Sequence, residues 1–277
     1  MAAGQRGSDP ETGTVKGTGS SGGAAGDGSG DGIRLSGVTR RYGDVVAVEL
    51  LDLTVPRHTR LGIVGPSGCG KSTVLSMVSG LESPDEGVVE VLGATDPAAR
   101  LARCAWMPQR DLLLPWRSVL ANACVSLENR GVSRRDARER VRPLFERFGL
   151  AGFEDRRPYE LSGGMRQRVS FLRTLVADKD VLLLDEPFGA LDSITRAGVQ
   201  DWLRDTLDTE PRTVVLVTHD VEEALLLSHE VVVMSSRPGR VAARLPVELP
   251  AAASRRELLA TPEFVRLRDA LLAHLEG

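Results

Sequence analysis

Cysteine is scarce and poorly placed for cross-linking. Cys69, Cys104 and Cys124 are widely spaced, odd in number and without a CxxC or CxxxC pair, which fits a reducing compartment and argues against a disulfide scaffold or a zinc site. Long apolar runs are missing: no stretch approaches the roughly 18–20 residues that a membrane span needs. No apolar stretch stands near the N-terminus either, so a secretory signal is not expected. Excess positive charge is also missing. The formal net charge is −3 over 277 residues, which gives no field for gripping a polyanion and disfavours nucleic acid as a partner. Lysine occurs only as Lys16, Lys71 and Lys179, so nearly all of the 35 basic residues are arginine. If the protein works at a membrane, a partner supplies the span.

Composition changes along the chain. Residues 1–32 are rich in Gly and Ser, with Val15 the only branched aliphatic. Such a segment cannot offset its ordering entropy by burial and is expected to be a disordered tail. Residues 33–277 are enough to bury a substantial core without disulfide or metal staples, and 42% hydrophobic with 26% charged residues describes a globular protein. Segments 33–39, 47–55, 59–64, 88–92 and 101–107 read as strands, and 71–79 as a helix after a Gly-rich turn. Residues 118–149 are helical in composition, with breaks at Gly131 and Pro143. Short apolar runs at 181–184, 213–217 and 230–234 then alternate with helical stretches at 164–177, 193–207 and 221–228. That alternation indicates an α/β core with buried parallel strands. Phe264, Leu267, Leu271 and Leu275 give a helix over 255–275 one apolar face, for packing or for a partner.

Residues 65–73 read GPSGCGKST, the GxxxxGK[ST] pattern, with a short strand before and a helix after. Gly65, Gly68 and Gly70 let the backbone curl so that several N–H groups point at one anion. The helix that follows adds the positive end of its dipole. Lys71 reaches the β- and γ-phosphates of a nucleotide as a mobile point charge, and Ser72 offers a hydroxyl to a bridging Mg²⁺. Pro66, Ser67, Cys69 and Thr73 complete the expected ATP-binding loop; Cys69 acts there through its backbone, and its thiol is a candidate for alkylation.

Residues 181–187, VLLLDEP, form an apolar strand ending in two carboxylates. At the end of a parallel strand beside the phosphate loop, Asp185 can hold Mg²⁺, and Glu186 can act as general base toward a water in line with the γ-phosphate. Residues 161–168, LSGGMRQR, lie between these motifs. They are another Gly-rich turn opening a helix, hence a second phosphate-binding device; an ordinary N-cap at Ser162 is the competing reading.

LSGG followed by a basic, Gln-containing helix, in this order with the other two motifs, resembles the signature of ABC-type ATPases. The resemblance covers about residues 33–240. It implies an α/β fold: a P-loop NTPase core of ABC-ATPase type with a helical subdomain and an antiparallel β subdomain. The implied layout is a cassette over 33–245, its helical subdomain at about 110–165, and a C-terminal helical extension over 246–277. It also implies a head-to-tail homodimer, in which Ser162, Gly163 and Gly164 of one subunit meet the γ-phosphate held by Lys71 of the other. Tyr42 resembles the aromatic that stacks on adenine. Gln109 resembles the glutamine that contacts Mg²⁺ and the attacking water. Residues 189–192, GALD, resemble the loop that crosses the dimer interface, and His219 resembles the histidine that contacts the γ-phosphate. The implied catalytic set is therefore Glu186, His219, Lys71 and Gln109, and the implied metal set Ser72, Gln109 and Asp185. Met165 departs from the commonest signature, which has Gln there, and carries no nucleotide role.

Residues 113–120 (LLPWRSVL), 218–225 (THDVEEAL) and 235–240 (SSRPGR), with Pro262, Glu263 and Phe264, resemble importer ATPases for nitrate, taurine and aliphatic sulfonates; a thiamine-precursor importer belongs to the same neighbourhood. The implied setting is peripheral, at the cytoplasmic face of a membrane, with integral membrane permease subunits and, indirectly, a solute-binding protein. Two other classes compete. One is a soluble ABC-type ATPase of cluster assembly or translation, working without a permease; translation factors of this type usually carry two cassettes and a charged linker, where this chain has one cassette. DNA-repair ATPases need a long coiled-coil insertion before the signature, for which residues 74–160 are too few.

Overall fold

The computed structural model describes residues 30–276. The tail expected over 1–32 lies outside the described residues except at its end, where Asp31 and Gly32 already belong to a strand.

Two sheets position the functional loops. β1 (Asp31–Tyr42), β2 (Val45–Pro56) and β4 (Glu86–Val91) form an antiparallel sheet with β1 in the middle. Alternation drives it: Ile33, Leu35, Leu51, Leu53 and Val55 are buried, while Arg34, Ser36 and Asp52 are exposed. The second sheet runs β5 (Cys104–Met107), β6 (Val181–Asp185), β7 (Thr213–Val217), β3 (Arg60–Val64), β8 (Glu230–Met234) and β9 (Val241–Pro246). Neighbours are parallel except β8 and β9. The buried strands carry side chains into two cores. Leu182, Leu184, Val214 and Leu216 face one, with the helices that follow; Val181, Leu183, Val215 and Val217 face the other, under the antiparallel sheet and α1 (Lys71–Ser79).

Register aligns the chemistry. Ile63 of β3 and Asp185 of β6 both pair with Val217 of β7. The phosphate-loop strand and the acidic strand therefore end at the same level, two strand spacings or roughly 10 Å apart.

The structure departs from the sequence pattern in four places. Residues 101–107 are not one strand: α2 (Pro97–Arg103), capped by Asp96, precedes the four-residue β5. Pro143 does not break α4 (Arg134–Arg147). Pro143 and Glu139, whose carbonyl it leaves unpaired, lie on the exposed face, where water can satisfy that oxygen. The break at Gly131 does occur, after α3 (Val119–Asn129), with Gly131 at φ 83°. The C-terminal helix is two, α8 (Arg255–Leu259) and α9 (Pro262–Glu276), because Pro262 starts a new helix. Phe264, Leu267 and Leu271 are buried, so this face packs on the core. Finally, β9 has no counterpart among the expected strands; its half-buried alternation is too short to read in the sequence.

Candidate active site

The phosphate loop leaves β3 at Val64 and enters α1 at Lys71. Gly70 takes the left-handed region at φ 102°, and a Cβ there would fall 2.8 Å from the Ala47 carbonyl oxygen, so only glycine fits. Lys71 Nζ donates to the carbonyls of Gly65 at 2.7 Å and Pro66 at 2.9 Å. Pro66 has no N–H to offer a phosphate; its carbonyl also accepts from the Cys69 N–H at 3.3 Å. The Cys69 thiol, 1% exposed, packs 3.8 Å from Lys71 Nζ. It is closed to reagents, contrary to the expectation from sequence.

Ser67, Gly68, Gly70, Lys71, Ser72 and Thr73 line a cleft of about 530 Å³, with Tyr42, Val45, Ala47, Gln109, Asp185, Glu186 and Arg237. Tyr42 stands at its rim, the hydroxyl bonded to Glu82 and the Arg40 guanidinium 4.8 Å from the ring centroid. Gly65, Pro66 and Cys69 support the loop from behind.

Asp185 ends β6 and is 4% exposed. Burial pushes its carboxyl pKa up, and neighbouring Glu186 adds to this; the nearby Ser72 hydroxyl and the Lys71 charge oppose. A hydroxyl and a carboxylate lining one cleft are hard oxygen donors, which suits Mg²⁺ shared with phosphates. Among the described residues no group of three or more His, Cys, Asp or Glu gathers to hold a metal. The phosphates of a nucleotide must complete any such site.

Glu186 is the most constrained residue of the cleft. It is a non-glycine at φ 49°, a strained conformation that persists only when its surroundings hold it. Its N–H donates to Val217 O at 2.8 Å, and its carbonyl accepts from Gln167 Nε2 at 2.9 Å. Its carboxylate lies between two residues from other segments: Gln109 Nε2 donates to Oε2 at 3.1 Å, and His219 Nδ1 is 3.3 Å from Oε1. The loop after β5, the end of β6 and the loop after β7 thus converge.

The signature residues are elsewhere. Ser162 caps α5 (Gly163–Leu175), its hydroxyl accepting from Met165 N–H at 3.2 Å. A Cβ on Gly164 would fall 2.6 Å from the Ala190 carbonyl oxygen, so the signature backbone touches the 189–192 loop. Neither Ser162, Gly163 nor Gly164 lines the cleft of its own chain.

Two residues of the site carry no role in the sequence pattern. Gln167 lies within LSGGMRQR and ties that helix to Glu186; Arg237 lies within SSRPGR and lines the cleft. Both are visible as motif members, but their contacts are tertiary.

Comparison with known proteins agrees with this geometry. A family model described as ABC transporter matches residues 48–189. An aliphatic sulfonates import ATP-binding protein from Rhodococcus jostii is 48% identical over 206 residues, covering 74% of this chain and 80% of the relative. A taurine import ATP-binding protein from Rhizobium johnstonii is 40% identical, covering 86% and 92%. A formylaminopyrimidine import ATP-binding protein from Halalkalibacterium halodurans is 40% identical, covering 81% and 86%. The dimeric structure of a bacterial ABC transporter cassette, MJ0796, superposes with a TM-score of 0.72 at 28% identity, covering 78% of this chain and 99% of that one. From the phosphate loop, the acid pair and these matches, the chain belongs to the ABC transporter family, as an ATP-binding cassette.

Proposed function

We propose that this chain is the ATP-hydrolysing subunit of an importer for a small solute such as an aliphatic sulfonate, taurine or nitrate. The observation that carries the enzymatic part is the Glu186 carboxylate, held between Gln109 and His219 at the edge of a cleft that contains Lys71. The solute class rests on relatives named for import of aliphatic sulfonates and taurine. The relative named for formylaminopyrimidine import supports a second reading, a thiamine-precursor importer.

In this reading the loop N–H groups from Gly68 to Thr73 cradle the ATP phosphates, Lys71 neutralises the β- and γ-phosphates, and Tyr42 receives the adenine ring. Ser72, Asp185 and Gln109 would hold Mg²⁺, which would supply charge neutralisation of the phosphate oxygens. Glu186 takes a proton from the attacking water as its oxygen bonds to the γ-phosphorus. The bond from that phosphorus to the bridging oxygen breaks, leaving ADP and phosphate. His219 flanks Glu186 through Nδ1 and meets the γ-phosphate as a hydrogen-bond donor when ATP is bound.

The site is completed in a head-to-tail homodimer, where Ser162, Gly163 and Gly164 of the partner cap the γ-phosphate. ATP binds the closed dimer more tightly than the open one and so shifts the population toward closure; hydrolysis removes that preference. Residues 33–245 act as the cassette. Its helical segment at about 110–165 carries the motion to integral membrane permease subunits, fed by a solute-binding protein, and 246–277 form an extension. Among the described residues no helix is long and apolar enough to cross a membrane; attachment at the cytoplasmic face runs through the permease. Reconstitution of the full-length chain with its neighbouring permease and binding protein tests the reading. Stimulation of ATP hydrolysis by a sulfonate, taurine or nitrate supports it. Hydrolysis that responds to none of these but to a pyrimidine favours the second reading.

A further inference from the structure

The segment between β8 and β9, residues 235–240, is built onto the phosphate loop. Gly239 donates its N–H to the Ala47 carbonyl at 3.0 Å, and its carbonyl accepts from Glu49 N–H at 3.1 Å, which pins the segment to β2. A Cβ on Gly239 would fall 2.0 Å from the Cys69 carbonyl oxygen, so the two backbones touch and no other residue fits. Ser235 braces the turn, its Oγ bonding the Pro238 carbonyl at 3.1 Å and the Arg240 N–H at 3.1 Å. Arg237 reaches the phosphate loop from this platform. Its Nε and Nη2 both donate to the Gly68 carbonyl oxygen, at 3.1 Å and 2.9 Å.

The consequences are electrostatic. Gly68 is at φ 76°, and its carbonyl is turned to the guanidinium. A carbonyl turned inward would oppose a phosphate; one engaged by Arg237 leaves the loop N–H groups free to face the anion. Guanidinium presents its donors in a fixed planar fork, and those not spent on Gly68 remain for a ligand. Arg237 is exposed, lines the cleft with Tyr42 and Lys71, and has no carboxylate partner among the described residues.

Resting on the reading that ATP fills this cleft, we propose that Arg237 is a second cation of the nucleotide site, which fixes the Gly68 carbonyl and contacts the bound nucleotide with its remaining N–H groups. Its bonds go to the middle of the phosphate loop, at Gly68, and not to the Glu186 cluster. Its contribution is therefore to binding, shared by ATP and ADP, and not to the chemical step.

The test uses the full-length chain, equilibrium titration with MgADP and steady-state hydrolysis of MgATP. Arg237→Met keeps the apolar stem and removes the charge. It is expected to weaken ADP binding and raise KM for ATP about tenfold each, with kcat within about twofold. Arg237→Lys restores part of the affinity, and the loss of ADP affinity with rising salt is shallower in Arg237→Met than in the parent. Unchanged ADP affinity and KM in Arg237→Met with parental circular dichroism would overturn the proposal, as would a fall in kcat at unchanged KM. Failure of the parent chain to bind ADP would instead remove the nucleotide reading on which it stands.

Discussion

Glu186 Oε1 lies 3.3 Å from His219 Nδ1, joining the end of β6 to the loop after β7. Gln109 holds the other carboxylate oxygen, and Gln167 holds the backbone carbonyl. Four segments thus converge on one residue at φ 49°.

Gln167 is buried and reaches Glu186 from the signature helix. Gln167→Ala removes one side-chain hydrogen bond, about 1 kcal/mol, and loosens the strained backbone that aims the carboxylate. The expected outcome is a kcat about tenfold lower with KM for ATP unchanged, since the residue touches no ligand. Steady-state hydrolysis across ATP concentrations checks it; a raised KM at full kcat contradicts it.

Lys71 braces the loop through Gly65 and Pro66 and carries the cleft's central charge. Lys71→Ala removes charge-assisted bonds to two phosphates, so ATP affinity falls on the order of 10²-fold. Nucleotide titration measures this directly.

Trp116 is 71% exposed just before α3, with Leu112 also exposed nearby. An aromatic in the open seven residues after Gln109 in the chain, outside the lining of the cleft, suits a groove for a permease helix. Trp116→Ala is expected to lower solute uptake at least about fivefold in the reconstituted complex while basal hydrolysis stays within about twofold. Equal loss of both rules out the assignment.

Glu223 is buried at the start of α7 (Val221–Leu227), and burial pushes its pKa up to about 8. Gln200 bonds to it and Thr218 and Arg196 lie near, all favouring the charged form, whereas Asp220 opposes it. The folded chain binds this proton more tightly than the unfolded chain, so the Glu223 contribution to stability is complete below about 4.5 and is lost as pH rises to about 8. Glu223→Gln cannot ionise and is expected to remove that decline. Its thermal midpoint should fall several degrees less than the parent's between about pH 5 and about pH 8. Melting curves across that range check it; parallel profiles for parent and variant would show that Glu223 does not titrate there.

Local features are the legible ones. The loop at 65–73, the acids at 185 and 186, and the glycines at 163 and 164 are contiguous motifs whose chemistry needs those residue types together. The buried strands are legible because each of 181–184, 213–217 and 230–234 is largely apolar. The tertiary bonds are not. Nothing near Gln167 or Arg237 in the chain announces Glu186 or Gly68, which lie 2.9 Å away across the fold. β9 is an edge strand of alternating half-buried residues, α2 is short, and Pro143 keeps its helix because its face is exposed. Each depends on surroundings that a local pattern does not contain.

Glu186→Gln separates nucleotide-driven assembly from chemistry in a single variant. The substitution keeps the side-chain shape and an acceptor for Gln109 but removes the base. Light scattering of this variant during size exclusion, with and without MgATP, reports both binding and assembly. If Glu186 is the base of a site completed by a second copy, the variant is a dimer with MgATP and a monomer without it. Its hydrolysis is then reduced by at least about 10²-fold. A monomer with ATP bound, or hydrolysis at the parental rate, would show that Glu186 does not play this part.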